Sequence, residues 1–215
     1  MTHTSSPIAR KRIAGCVFIL AFIGVSIYFG IRAWKWNSDF HEWIDAKPMQ
    51  MTVDLRTPST HSAPFTQTCV VAHSQSIYVA YENPDANDKN IAEHFAGLKG
   101  TVTIRNPTGT EIRTEHFDAE SIRLWGDDPT LVGFRPFSNG EYTAEIEIQH
   151  GASKIEGTQH ELYARNDLCG LELLPAYVQG AISAVALLIA IVIACFTAPL
   201  VARHGFRTQL PDGKG

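Results

Sequence analysis

Two long stretches of the sequence contain no charged residue. The first runs from position 13 to 31 and the second from 173 to 202, which makes 19 and 30 positions. About 20 consecutive apolar residues are enough for a helix to cross a bilayer. Each stretch therefore predicts a transmembrane helix, and together they indicate a membrane protein rather than a soluble one.

The sequence also lacks the short motifs that carry common chemistries. It contains no Gly-x-Ser-x-Gly, no Ser-x-x-Lys and no glycine-rich phosphate loop. The seven histidines from position 41 to 160 form no His-x-His or His-Glu-x-x-His pair, and no Cys-x-x-Cys-His haem motif is present. We therefore expect no catalytic residue, no metal ligand and no cofactor, and we expect that the chain is not an enzyme.

The hydropathy pattern divides the chain into six segments. They are a cytoplasmic tail (1–12), a transmembrane helix (13–34), a membrane-proximal amphipathic helix or linker (35–50), a β-sandwich (51–170), a linker with the second transmembrane helix (171–201) and a second cytoplasmic tail (202–215). The first apolar stretch is longer than the core of a signal peptide and ends without a small-x-small cleavage site, which indicates an uncleaved helix. Trp34 and Trp36 lie beside basic residues, as is typical of a membrane interface, and Trp43 extends this set.

Charge is distributed unevenly between the middle and the ends of the chain. Residues 35–176 contain 11 Lys and Arg against 21 Asp and Glu, a net −10, whereas the other residues sum to +6. Basic residues beside a span stay in the cytoplasm, and Arg203 and Arg207 follow the second span directly. We therefore place both termini in the cytoplasm and residues 35–176 outside, in the periplasm of a bacterial inner membrane. The negative charge argues against nucleic acid as a partner of this part.

The four cysteines divide by location. Cys16 and Cys195 lie inside the apolar stretches, where a thiol behaves as a small hydrophobe. Cys69 and Cys169 lie in the middle of the chain, and an even pair in an oxidising compartment predicts a disulfide. Such a bond would close a loop of about 100 residues and stabilise the fold by roughly 4–5 kcal/mol. Two unpaired thiols are the alternative.

The middle of the chain has the pattern of an antiparallel β-protein. Short alternating runs are separated by turn residues every 8–12 positions, which favours a sandwich or barrel. Two turns, at 106–109 and 138–140, have the composition of hairpin turns. Candidate strands lie at 51–55, 65–71, 76–81, 101–105, 111–117, 131–137, 141–148 and 159–164, with a loop at 83–89 and one or two helical turns at 91–98.

One strand also resembles part of a known sandwich family. The stretch from Asn139 to Ile148 is similar to the penultimate strand of immunoglobulin-like and fibronectin-like sandwiches, in which a tyrosine pins the preceding turn to the sheet. Tyr142 has that position here, so the resemblance implies an immunoglobulin- or fibronectin-like antiparallel sandwich. Glu141, Glu145 and Glu147 share one face of this strand, and they form either a partner surface or, more simply, a solvated sheet face.

The second apolar stretch carries small residues at helical spacing. These residues are Gly180, Ala184, Ala186, Ala190, Ala194 and Ala198. Small side chains let another helix approach closely, which promotes helix association in lipid. Two interpretations stay open, because the partner is either the first span of the same chain or a second subunit or membrane protein. The uncharged stretches 13–31 and 173–202 carry no ionisable group apart from cysteine and tyrosine, which disfavours an ion pathway.

Three functional hypotheses follow, in decreasing order. The first is a non-catalytic, membrane-anchored interaction or assembly subunit that presents an acidic β-sandwich outside the cytoplasmic membrane. It would contact the lipid bilayer and pack through its helices with a partner membrane protein or with itself. The second is an extracytoplasmic ligand-binding sensor module, without an output domain of its own because its tails are short. A homo-oligomeric channel is a distant third. A pocket with convergent polar groups favours the ligand-binding module, whereas a filled sandwich core counts against it.

Overall fold

The computed structural model describes residues 7–81, 91–125 and 128–205. The loop predicted at 83–89, half of the first predicted tail and most of the second lie outside these residues. Within the chain, internal contacts define two compact units. The helical unit comprises the residues up to Asp39 and from Leu173 onward, and the sandwich unit comprises Phe40–Glu172.

The helices are two long ones and one short one. Helix α1 spans Pro7–Asp45, α2 spans Ile91–His94, and α3 spans Leu174–His204 after a 3₁₀ turn at Leu171–Leu173. The stretches Lys11–Asp45 and Leu171–Arg203 are each long and apolar enough to cross a membrane. Helix α1 continues without a break through the boundary predicted at residue 34, so the first part of the predicted 35–50 segment extends the first span. Helix α1 ends at Asp45, shortly before Pro48, and a proline disfavours the helical conformation of the residue that precedes it.

Nine strands in the described residues form two antiparallel sheets. Their bounds are β1 Gln50–Val53, β2 Ser59–Gln67, β3 Ser74–Val79, β4 Lys99–Arg105, β5 Glu111–Asp118, β6 Arg123–Trp125, β7 Asp128–Phe134, β8 Gly140–His150 and β9 His160–Asp167. One sheet has the order β1-β9-β3-β7-β6 and the other β2-β8-β4-β5. The antiparallel sandwich predicted from the sequence is therefore present.

The strand order is that of a jelly roll. The pairs β4–β5, β3–β7, β2–β8 and β1–β9 are all antiparallel and nest inside one another, as if one long hairpin were folded over into two sheets. In an immunoglobulin-like sandwich the first two strands are neighbours in one sheet. Here β1 and β2 lie in different sheets. The immunoglobulin- or fibronectin-like order implied by the resemblance is therefore not observed.

The two predicted hairpins have different outcomes. The turn at 106–109 joins the paired strands β4 and β5, as predicted. The turn at 138–140 does not form a hairpin, because β7 and β8 belong to different sheets. Tyr142 nevertheless pins this turn, since its hydroxyl donates to the Ser138 carbonyl at 2.9 Å and lies 2.8 Å from Ser138 Oγ. The composition of residues 138–140 thus correctly predicted a change of chain direction but wrongly predicted that β7 pairs with β8.

Strand β2 begins six residues before the strand predicted at 65–71, and β6 was not predicted. The first half of β2 reads Ser-Thr-His-Ser-Ala-Pro, a polar run that gives little strand signal. Pro64 fits there because β2 is an edge strand, where a missing N–H costs no ladder bond on the open side.

The space between the sheets is filled by side chains. Both sheets and the segment around α2 contribute to one core cluster, and its largest wholly buried members are Phe65, Phe95, Met49, Leu55, Ile77, Leu98, Ile104, Ile122, Leu131, Ile146 and Ile148. A ligand therefore has no room in the middle of the sandwich, and a binding site has to lie elsewhere in this unit.

Candidate functional site

A cavity of about 880 Å³ lies in the sandwich unit. Its wall combines the last turns of α1, strands β3, β7 and β9, and the neighbourhood of β5 and β6. The β3 residues in this wall alternate with core residues, so they project from the face of the sheet that points away from the core. The volume is in the range of pockets that hold small molecules.

The floor of the cavity is a hydrogen-bonded cluster around Asp167. This carboxylate accepts hydrogen bonds from Ser74 Oγ at 2.8 Å, Ser76 Oγ at 2.6 Å and the Tyr78 hydroxyl at 2.7 Å. The three donors are on β3 and Asp167 is on the adjacent strand β9. These three hydrogen bonds hold the Asp167 carboxylate in a fixed position.

Two stacked tyrosines lie beside this cluster. The rings of Tyr78 and Tyr163 are 5.5 Å apart and nearly parallel, and they are 1% and 8% exposed. Burial raises the pKa of Tyr78, and its hydrogen bond to Asp167 raises it further. Burial likewise raises the pKa of Tyr163, whose hydroxyl donates to Asp128. Both hydroxyls are therefore held in the protonated form.

Arg165 covers the open face of this stack. Its guanidinium carbon lies 4.6 Å from the centre of the Tyr78 ring, and one terminal nitrogen lies 3.4 Å from the Tyr78 hydroxyl. On the other side of the stack, Lys47 Nζ lies 4.8 Å from the Tyr163 ring centre and 3.6 Å from Glu161. Among the residues that the structure describes, Lys47 has an acidic partner and Arg165 has none.

Helix α1 supplies an apolar part of the cavity wall through Phe40 and Ile44. This segment is tied to the sheet, because Asn166 Nδ2 donates to the Trp43 carbonyl at 3.1 Å. Asn166 in turn accepts a hydrogen bond of 2.7 Å from the buried Gln75. Phe40 is buried, whereas Ile44 remains 44% exposed and offers an apolar surface to the cavity.

The predicted disulfide between Cys69 and Cys169 is absent, since both are free thiols. Cys69 is wholly buried, and burial raises the pKa of its thiol. Cys169 is exposed, its sulfur lies 3.4 Å from Glu172 Oε1, and its backbone N–H donates to Glu172 Oε2 at 3.2 Å. The Glu172 carboxylate thus holds the Cys169 thiol in a polar contact instead of a disulfide.

The predicted acidic ladder is bound within its own sheet. Glu145 forms an ion pair of 3.2 Å with Arg105, Glu141 accepts from Thr66 at 2.9 Å, and Glu147 accepts from Thr101 at 3.3 Å. Within residues 7–81, 91–125 and 128–205, no group of three or more His, Cys, Asp and Glu side chains could hold a metal ion. The ladder therefore has the geometry of a solvated sheet face.

In the helical unit, the predicted small-residue stripe contributes in part to the contact between α1 and α3. Ala186 and Ala190 are 5% and 2% exposed, Gly180 and Ala194 are half-buried, and Ala184 and Ala198 are exposed. Residues four apart advance by about 40° more than one helical turn, so a stripe with this spacing drifts off the contact face.

Other small polar residues, which the sequence analysis did not single out, complete the helix contact. Ser183 Oγ donates to the Ser26 carbonyl at 2.7 Å, and the two hydroxyl oxygens are 3.2 Å apart. A Cβ atom on Gly15 would lie 2.7 Å from Thr197 Oγ1. Hydrogen bonds of this kind and close backbone approach are typical of helix pairs in membranes.

The predicted interface tryptophans all lie on α1. Trp34 is 73% exposed and Trp36 is partly exposed, both in the helical unit. Trp43 belongs to the sandwich unit, where its carbonyl accepts the bond from Asn166.

The residues of the cavity were not predicted from the sequence. Ser74, Ser76 and Tyr78 alternate along one strand, and Arg165 and Asp167 alternate along another. This spacing shows that each set shares a face, but only the pairing of β3 with β9 brings the two sets together.

Comparisons with known proteins yield little. No protein-family model matches the chain, and no curated protein matches it. Among solved structures, the chain is similar to the protein GEBA250068378 from Sulfurospirillum deleyianum, with 12% identity and a TM-score of 0.43 over 57% of this chain and 98% of the other. A similarity of this size carries no argument about fold or function.

Proposed function

We propose that this chain is a membrane-anchored, non-catalytic binding protein whose sandwich unit takes up a small ligand from outside the cytoplasmic membrane. The observation that carries the proposal is the cavity of about 880 Å³, whose wall combines apolar residues of α1 with a fixed cluster of polar side chains. Pockets for small molecules combine these two features. The filled core does not conflict with this function, because the polar side chains of the cavity project from the sheet face that points away from the core.

The membrane location is supported by the two long apolar helices and by the charge distribution. We propose that both helices cross the cytoplasmic, inner membrane, with both termini in the cytoplasm and residues 35–176 in the periplasm. In the helical unit, Arg12 donates to the Gly205 carbonyl at 2.8 Å, which keeps the start of α1 beside the end of α3. Two spans joined in this way leave both ends on one side of the bilayer.

Some residues that line the cavity belong to the two long helices or lie directly before them in the chain. Phe40 and Ile44 are part of α1, which runs unbroken from Pro7 to Asp45. Leu168 and Cys169 also line the cavity, and α3 begins at Leu174. Occupation of the cavity would therefore act on the segments that lead directly into the two helices. This continuity supports a sensor module that passes its state to a partner through its helices.

A cavity-filling variant tests the binding function. Ile44→Trp places a large side chain at the cavity wall, and Ile112→Trp makes the same change at a position of equal exposure, 42% against 44%, that does not line the cavity. Native mass spectrometry of the full chain from its own host is expected to show a small molecule bound to the wild type and to Ile112→Trp. The Ile44→Trp variant is expected to lack it. A small molecule absent from all three, or retained by Ile44→Trp, would contradict the proposal.

An assembly function is the second candidate. It is supported by small residues that lie on the helix pair but outside the contact between α1 and α3, namely Gly24, Ala184 and Ala198. A Cβ atom on Gly24 would meet nothing within 4 Å, so another helix could approach there. The same native mass spectra test this function, because an assembly subunit would carry a stoichiometric partner protein that Ala184→Leu weakens and the neighbouring control Val185→Leu retains.

A further inference from the structure

We propose that the ligand of the cavity is a small organic monocarboxylate and that Arg165 binds its carboxylate. This assignment rests on the proposed binding function and names the chemical class of the ligand. It follows from three properties of the cavity wall: an arginine that forms no ion pair among the described residues, a carboxylate whose two oxygens already accept hydroxyl hydrogen bonds, and an apolar surface from the end of α1.

Arg165 is prepared to bind an anion in a fixed orientation. The guanidinium carbon of Arg165 lies over the Tyr78 ring, 4.6 Å from its centre, and one terminal nitrogen donates to the Tyr78 hydroxyl at 3.4 Å. These two contacts with one side chain hold the guanidinium in place. The remaining donors form the fork that a carboxylate accepts in a bidentate manner.

The neighbouring carboxylate of Asp167 leaves the remaining donors of Arg165 without a direct partner among the described residues. Each oxygen of Asp167 already accepts a hydroxyl hydrogen bond, and among the described residues no ion pair links it to Arg165. Glu115, which also lines the cavity, is paired with Arg113 at 3.2 Å. A ligand carboxylate can therefore contact Arg165 directly. A dianion such as a phosphate monoester would bring a second negative charge near Asp167, whose own charge the hydroxyl hydrogen bonds do not remove.

The apolar part of the cavity wall favours a ligand with an apolar group. Phe40 and Ile44 come from α1, Leu168 follows β9, and all three line the cavity. Ile44 is 44% exposed, so a ligand that covers it removes apolar surface from water. A carboxylate joined to a short aliphatic or aromatic group satisfies both walls.

Fluorine NMR of the full chain in lipid nanodiscs tests this assignment directly. The probes are 4-fluorobenzoate, its uncharged match 4-fluorobenzamide and the dianion 4-fluorophenyl phosphate. We expect the benzoate to bind at least about tenfold more tightly than either other probe, as the loss of a bidentate charge-assisted contact implies. Arg165→Gln is expected to abolish this preference, and Arg135→Gln, an exposed arginine outside the cavity, is expected to retain it.

Each outcome distinguishes this assignment from the binding function on which it rests. Equal binding of benzoate and benzamide, or tighter binding of the phosphate, overturns the carboxylate assignment while the cavity remains a binding site. Binding of no probe also overturns it, and the Ile44→Trp experiment then decides about the binding function. The comparison of probes on the wild-type chain requires no variant, so misfolding of Arg165→Gln does not affect it.

Discussion

Helix α1 contains two glycines, Gly15 and Gly24, of which the first is closely packed and the second is not. A Cβ atom on Gly15 would lie within 2.8 Å of two atoms of Thr197, a β-branched side chain with little freedom to turn away, whereas one on Gly24 would meet nothing within 4 Å. Gly15→Val should therefore force α1 and α3 apart and destabilise their contact by about 1–3 kcal/mol, the usual cost of overpacking.

Crosslinking between cysteines introduced in the two helices, or thermal unfolding in detergent, measures this effect. Gly24→Val is the control, because it makes the same change in the same span and should leave the helix contact unaffected. Equal destabilisation by both variants would indicate a loss of general helix stability and not of the specific contact at Thr197.

The buried tyrosines of the cavity predict a loss of stability at alkaline pH. The pKa values of Tyr78 and Tyr163 are raised in the folded chain, so both hydroxyls keep their protons at a pH where the unfolded chain has lost them. Their contribution to the free energy of unfolding is therefore fully present below the ordinary tyrosine pKa of about 10. Above that pH it falls by up to about 1.4 kcal/mol per unit for each tyrosine, until the folded-state pKa is passed.

Denaturant unfolding between pH 9 and 11 measures this slope. Tyr78→Phe should flatten it, and Tyr177→Phe, at a position that is 67% exposed, should not. A slope that is the same in all three proteins would show that the hydroxyls of the stack do not carry the effect.

At the level of elements, the β4–β5 hairpin depends on one turn side chain. Asn106 Oδ1 accepts hydrogen bonds from the backbone N–H groups of Thr108 at 3.1 Å and Thr110 at 2.8 Å, and from Thr108 Oγ1 at 2.7 Å. Asn106→Ala removes this acceptor and should lower the free energy of unfolding by roughly 1 kcal/mol. Asn106→Asp keeps the acceptor and should retain most of the stability.

The corner between β7 and β8 supplies the control for this prediction. Asn139→Ala changes the same residue type in a turn that joins two sheets, and the structure describes no such side-chain cap there. Denaturant unfolding followed by fluorescence compares the variants. A larger loss for Asn139→Ala than for Asn106→Ala would contradict the role given to the Asn106 acceptor.

The same two turns show how far the elements could be predicted from the sequence. Both have hairpin composition, and local chemistry correctly located both changes of direction. Composition does not specify whether the chain after a turn returns to the same sheet or crosses to the other, because that choice depends on which distant strand it meets. The nested pairing of β1 with β9 and β2 with β8 is non-local in the same sense, and so is the meeting of Ser76 with Asp167 across β3 and β9.

On the scale of the whole molecule, labelling of the four cysteines can test on which side of the membrane each part of the chain lies. Cys169 is exposed in the sandwich unit, Cys69 is buried with a raised pKa, and Cys16 and Cys195 lie in the apolar helices. A membrane-impermeant maleimide reacts with an accessible thiolate, which burial disfavours at Cys69. In intact spheroplasts it should therefore label the wild-type chain, and Cys169→Ser should abolish the labelling.

A cysteine added to the C-terminal end completes this test. Thr208→Cys in the Cys169→Ser background should be labelled only after permeabilisation, because the proposed topology places the basic residues after the second apolar helix in the cytoplasm. The bond from Arg12 to the Gly205 carbonyl implies the same result for a cysteine placed near the start of α1. Two results together would show the opposite orientation and place the ligand cavity in the cytoplasm. They are labelling of Thr208→Cys in intact spheroplasts, and labelling of Cys169 in the wild-type chain only after permeabilisation. Opposite accessibility of the two ends would rule out two spans in one chain.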